Sequence, residues 1–100
     1  MTEAVFAGLV EDMGEARRDK GNAFDNAARY RSMAESYTNP GDRALKGGDA
    51  AQLDASRDYY LDLHHEWNDK RRAASNDLHD IQERIMEYLT ADEESVALAA

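Results

Sequence analysis

Hydrophobic residues recur along the first third of the chain with the period of an α-helix. Between residues 3 and 37 they are spaced three and four positions apart, which places their side chains on one helix face. Thr2 precedes this stretch and is suited to cap its first turn. The stripe consists of Phe6, Leu9, Met13, Ala16, Ala23, Ala27, Tyr30, Ala34 and Tyr37, with Lys20 as the polar exception. The pattern therefore predicts a helix over residues 3–37.

A second and more regular stripe occupies residues 50–90. One set of apolar residues recurs every seven positions, and a second set fills the neighbouring line of the same face, which keeps that face directed at a partner helix. The predicted helix-packing face consists of Leu53, Tyr60, Leu63, Trp67, Leu78, Ile81 and Ile85, continued by Ala74 and Tyr88. Asp49 is suited to cap the first turn. Because no Gly or Pro occurs from residue 49 onward, the pattern predicts one uninterrupted helix.

Residues 38–48 separate the two stripes and carry turn signals. In the sequence Thr38-Asn39-Pro40-Gly41, proline fixes its own φ and disfavours the helical region for the residue before it, while glycine permits a positive φ. We therefore expect the first predicted helix to end before this connection and the second to begin after it.

Two long helices joined by a short connection bury their stripes by packing side by side in opposite directions. The sequence thus predicts the all-α class and an antiparallel two-helix hairpin that forms a single domain over residues 1–100. Its parts are a helix over 3–37, a loop over 38–48, a helix over 50–90 and a flexible tail over 91–100.

A lone hairpin leaves part of this apolar surface uncovered. Beside the packing face of the second predicted helix lies a further set of apolar residues, which we call the flank: Tyr59, Leu61, Met86 and Leu89. A second hairpin would cover the flank and complete a four-helix bundle. We therefore expect dimerisation with a homo- or heteromeric helical-hairpin partner.

The composition narrows the range of partners. The chain has 100 residues, a net charge of −9, 42% hydrophobic residues and no cysteine. A negative chain is repelled by the phosphates of nucleic acids. No segment approaches the roughly 20 apolar residues of a membrane-spanning helix. We expect no nucleic-acid partner, no membrane insertion and no disulfide or thiolate metal site.

Acidic residues and histidines cluster at two places in the second predicted helix. Asp62 and His65 lie three positions apart, and Asp77, His79 and Asp80 form a second cluster further along. Bundles that bind two metal ions use Glu-x-x-His motifs directed into the core, and this sequence contains none. The serines lack the Gly-flanked turn of a hydrolase nucleophile. We expect no enzymatic activity, cofactor or metal; a small metal-binding helical bundle is the less favoured alternative.

The end of the second predicted helix carries the most specific motif of the chain. Tyr88 is followed four residues later by Asp92 and then by two further acids. This arrangement resembles the Tyr-x-x-x-Asp/Glu export signal that follows the second helix of type VII (ESX) secretion substrates. Those proteins are cysteine-free helical hairpins of similar length. Leu45-Lys46-Gly47 is similar to their Trp-x-Gly turn, with Leu45 in place of tryptophan.

The resemblance implies a function in protein export. Such proteins travel as antiparallel dimers, often heterodimers, and a secretion ATPase reads the tail of one subunit. By resemblance, Tyr88 and Asp92 form the export signal, Leu45 and Gly47 belong to the turn motif, and the chain leaves the cytoplasm without a cleaved signal peptide. Two alternatives stay open. Tyr88 and Asp92 simply end the stripe and the helix, or the chain is a cytoplasmic helical adaptor or chaperone.

Overall fold

A computed structural model describes the backbone of residues 2–99 and the side chains of residues 2–91. The described residues form three α-helices and no β-strand, which confirms the predicted all-α class. The helices are α1, Glu3–Ser36, α2, Pro40–Lys46, and α3, Ala50–Ala99.

The contacts among its residues divide the chain into two compact units. Unit 1 comprises Met1–Lys20 and Arg72–Ala100, and unit 2 comprises Gly21–Arg71. Each unit contains a segment of α1 and a segment of α3, and unit 2 also contains α2. The single domain over residues 1–100 is predicted from the length of the chain, which suits one domain at most, and it stays a prediction.

Side chains cap the first turns of both long helices. Thr2 Oγ1 accepts a hydrogen bond from the backbone N–H of Val5 at 3.3 Å. Asp49 Oδ1 accepts one from the backbone N–H of Ala51 at 3.2 Å. Each bond satisfies an N–H group that has no partner within its own helix, so the starts of α1 and α3 are set by local chemistry.

The connection between the long helices differs from the predicted loop over residues 38–48, because it contains α2. Asn39 is extended, with φ −66° and ψ 127°, and precedes a proline whose fixed φ already suits a first helical turn. Gly47 ends the helix with φ +68°, a conformation that favours glycine. The turn sequence Thr38 to Gly41 therefore starts a short helix, and the positive φ angles fall at Gly47 and Gly48 instead of Gly41.

The far ends of the long helices also differ from the sequence prediction. α1 ends at Ser36, one residue before the predicted end, and α3 continues to Ala99, nine residues beyond residue 90. Because no Gly or Pro interrupts this part of the chain, nothing in the sequence stops the helix there. The side chains of residues 92–100 lie outside the described residues, and the flexibility of the tail over 91–100 stays a prediction.

In unit 1, the first part of α1 packs against the later part of α3. Leu9 and Ala16 of α1 are buried, as are Ala74 and Leu78 of α3. All four belong to the two hydrophobic stripes, so the helical period correctly indicates which faces meet in this unit.

In unit 2, the later part of α1 packs against the first part of α3. The ring of Tyr37 stacks on that of Tyr60, with 5.6 Å between centroids. The Nδ1 of His64 lies 2.7 Å from the carbonyl oxygen of Ala27 and donates to it, since a carbonyl can only accept. Residue numbers rise along α1 as they fall along α3, so the two segments run antiparallel. The buried residues of unit 2 are Ala23, Ala27 and Ala34.

Candidate functional site

The predicted helix-packing face of α3 is divided between the two units. In unit 1, Leu78 is buried, and Ile81 and Ile85 are half-buried. In unit 2, all predicted members are half-buried, namely Leu53, Tyr60, Leu63 and Trp67. Most of the large side chains on this face of α3 are therefore only partly covered and remain partly open to solvent.

The buried residues of both units are mostly alanines. Five of the seven buried hydrophobic residues among the described part of the chain are alanine, and the other two are Leu9 and Leu78. Small side chains on α1 let α3 approach closely, but they bury little apolar area. Since stabilisation by burial grows with that area, each unit has a thin core.

Large apolar side chains are exposed on both units. In the flank, Tyr59, Met86 and Leu89 are exposed and Leu61 is half-buried. Scattered exposed apolar residues are normal in monomers, but here they lie beside a packing face that is itself half-covered. The exposed large residues are Val5, Val10, Met86 and Leu89 in unit 1, and Phe24, Leu45 and Tyr59 in unit 2.

Tyr88 of the predicted export signal packs against the first helix. Its ring stacks on that of Phe6, with 4.8 Å between centroids and 23° between planes. Both residues are half-buried, so part of the pair remains exposed to solvent. The other predicted signal residue, Asp92, has its side chain outside the described residues.

The predicted turn motif lies on α2 and at its end. Leu45 is 88% exposed, and Gly47 follows with a positive φ that a larger residue would adopt only with strain. Lys46 Nζ lies 4.7 Å from the centre of the Tyr37 ring, a favourable cation–π distance. The short helix therefore presents Leu45 to solvent while its neighbour Lys46 contacts Tyr37, the residue that follows α1.

Arg43 of α2 links the residue that follows α1 to the start of α3, and no pattern in the sequence indicated this role. Its Nη1 donates to the carbonyl oxygen of Tyr37 and to Asp54 Oδ1, both at 2.8 Å. Its Nη2 donates to the carbonyl oxygen of Ala50 at 3.5 Å. The guanidinium thus satisfies an unpaired carbonyl just after α1 and holds the start of α3 beside it.

We expect Arg43→Ala to lower the free energy of unfolding by about 1–3 kcal/mol, because the Tyr37 carbonyl and the Asp54 carboxylate lose a charged donor. Arg31→Ala is the matched control. Among the described residues Arg31 pairs with Glu35 alone, and both side chains are exposed, so its loss should change stability by less than about 0.5 kcal/mol. Urea unfolding followed by circular dichroism measures both changes. Equal effects of the two substitutions would contradict the role of Arg43.

The negative charge of the chain is concentrated in unit 1. Unit 1 holds twelve acidic and five basic residues, for a net charge of −7, whereas unit 2 holds nine and seven, for a net charge of −2. One groove of unit 1, of about 340 Å³, is lined by Ala16, Ala74 and Ile81 together with six charged residues. Those charged residues are Asp12, Glu15, Asp19, Asp77, Asp80 and Arg84. A protein that docks on unit 1 must therefore accommodate a strongly negative surface.

The histidine and acid clusters of α3 are not assembled into a ligand set. Among the described residues, no three His, Asp or Glu side chains converge in a way that could hold a metal ion. His64 is engaged with the Ala27 carbonyl, and His79 Nε2 lies 3.1 Å from Glu83 Oε1 on an exposed face. The described residues of a single chain therefore provide no ligand set for the metal-binding alternative.

The chain was compared with protein-family models, with curated proteins and with solved structures, and none of them matches it. Within its described part, none of the helices has a stretch long and apolar enough to cross a bilayer.

Proposed function

We propose that this protein is a non-enzymatic type VII (ESX) secretion substrate, or the hairpin partner of one, that associates with a second helical hairpin. The observation that carries the proposal is the alanine-rich core, which leaves the large residues of the α3 packing face half-covered in both units. A surface of this kind gains stability when another apolar helix face covers it.

Three features support an export role within this proposal. Tyr88 is half-exposed, and Asp92 follows it four positions later in the sequence, the spacing of one helical turn. Gly47 ends α2 with a positive φ, and Leu45, two residues before it, is open to contact. In the proposal, α1 and α3 form one antiparallel hairpin, and a secretion ATPase binds the Tyr88–Asp92 end.

The test of this function is export of the full-length chain from bacteria that carry a type VII secretion system. We expect the chain in the culture medium of cells with the secretion ATPase and only inside cells from which the ATPase gene is deleted. A cytoplasmic marker protein controls for lysis. Retention in both strains, in a stable complex with another protein, would contradict the proposal and favour the adaptor or chaperone alternative.

Met86→Lys should weaken association of the hairpins by at least about tenfold, because it would bury an unpaired charge in an apolar contact. Met86 lies in the flank and is 61% exposed. Asn76→Lys is the matched control, since it adds the same charge to an exposed position of α3 away from the stripe. Sedimentation velocity over a range of concentrations measures the effect. A wild-type chain that stays monomeric throughout yet melts sharply would contradict the need for a second hairpin.

A further inference from the structure

The stack of Phe6 on Tyr88 joins residues from opposite ends of the chain. Phe6 lies at the end of the first turn of α1 and Tyr88 lies late in α3, and they are the two aromatic residues of unit 1. With 4.8 Å between centroids and nearly parallel planes, each ring restricts where the other can lie. A protein that contacts the exposed part of Tyr88 therefore binds a ring whose position depends on Phe6.

We propose that the export signal is a two-helix platform formed by Phe6 and Tyr88, in which Phe6 is a positioning residue for the Tyr88 ring. This inference rests on the proposed function, because it concerns the same end of the chain. It differs from a linear tail signal in one respect that can be tested. The platform exists only when the start of α1 is packed on α3, so recognition depends on the folded state of unit 1.

The surroundings of the stack define the chemistry of its partner. Val5 is an exposed neighbour of Phe6 in sequence, and Glu3 and Glu87 are exposed acids within three positions of the two rings in sequence. The whole unit has a net charge of −7. Complementarity therefore requires a protein pocket with an apolar floor for the ring edges and lysine or arginine residues at its rim. A second copy of the same negative unit does not meet that requirement.

Binding of the purified full-length chain to the purified secretion ATPase tests the platform. We expect Phe6→Ala to weaken binding about tenfold and Phe6→Tyr, which keeps the ring, to stay within about twofold of the wild type. Phe24→Ala is the matched control, because Phe24 is an exposed phenylalanine of α1 in unit 2. It should leave binding unchanged. Thermal unfolding and sedimentation of each variant establish that it folds and associates like the wild type.

Salt dependence tests the charge of the pocket. Raising NaCl from about 50 to about 300 mM shortens the Debye length below about 8 Å, so binding to a basic rim should weaken several-fold. Binding that does not change with salt would overturn the basic rim.

The outcomes separate this inference from the proposed function. If Phe6→Ala binds like the wild type while Tyr88→Ala does not, the signal is linear and the platform is wrong, but the export function stands. If Phe6→Tyr loses binding as Phe6→Ala does, the aromatic stack is not what positions Tyr88. If neither Phe6→Ala nor Tyr88→Ala changes binding or export, the proposed signal itself is wrong.

Discussion

Replacement of both Tyr88 and Asp92 by alanine should reduce export to less than about a tenth of the wild-type level. A tenfold loss corresponds to about 1.4 kcal/mol of recognition energy, which is modest for the removal of an aromatic ring and a charge from one contact. The ring of Tyr88 stacks on Phe6 and the residue is half-exposed, so its loss removes a part of the platform that a partner can contact. The measurement is the ratio of secreted to intracellular protein by quantitative immunoblot.

Two variants separate loss of the signal from general damage. Asp92→Glu keeps the charge and fits the Tyr-x-x-x-Asp/Glu pattern, so it should be exported normally. Asp69→Ala removes an exposed aspartate of α3 in unit 2 and should also be exported normally. Far-ultraviolet circular dichroism should show the same helix content in all variants. Normal export of the double alanine variant would rule out the proposed signal.

Leu78→Ala should lower the free energy of unfolding by about 2–4 kcal/mol, which corresponds to a fall in Tm of at least about 10 °C. Leu78 is 9% exposed and is the larger of the two buried residues that α3 contributes to unit 1. Because its buried neighbours Ala16 and Ala74 are already small, little side-chain volume is available to fill the cavity. Small single domains have only about 5–15 kcal/mol of stability, so this loss is a large fraction of the total.

Leu45→Ala is the matched control for Leu78→Ala. It makes the same chemical change at a side chain that is 88% exposed, so stability should change by less than about 0.5 kcal/mol. Chemical and thermal unfolding at one fixed protein concentration measure both variants, because association makes Tm depend on concentration. A Leu78→Ala effect as small as that of Leu45→Ala would show that the described packing of unit 1 is wrong.

Much of the secondary structure could be predicted from local pattern and local chemistry. The stripe of α1 contains every residue of that helix that is buried, from Leu9 to Ala34. Thr2 and Asp49 make the capping bonds that their positions suggest. The exception is α2, where the turn signals of Asn39 and Pro40 also suit the start of a helix, so the pattern alone did not distinguish a loop from a short helix.

The contacts around the candidate site could not be predicted in the same way. Arg43 finds Asp54 and the Tyr37 carbonyl only because α2 turns toward both long helices. Phe6 and Tyr88 meet across 82 positions of sequence, and no local period relates them. Each of these contacts depends on the register between α1 and α3, which hydrophobic periodicity leaves open since several registers bury the same stripes.

The all-α class, the starts of the two long helices, the faces that they bury and the negative charge of the chain could all be predicted from the amino-acid sequence. These properties follow from the helical period, from capping side chains and from composition, all of which act over a few residues. The packing of the helices was needed to learn that the buried residues are mostly alanine, that most of the net negative charge belongs to unit 1, and that Tyr88 stacks on Phe6. Those outcomes require the distances between residues far apart in sequence, which are fixed when the helices pack.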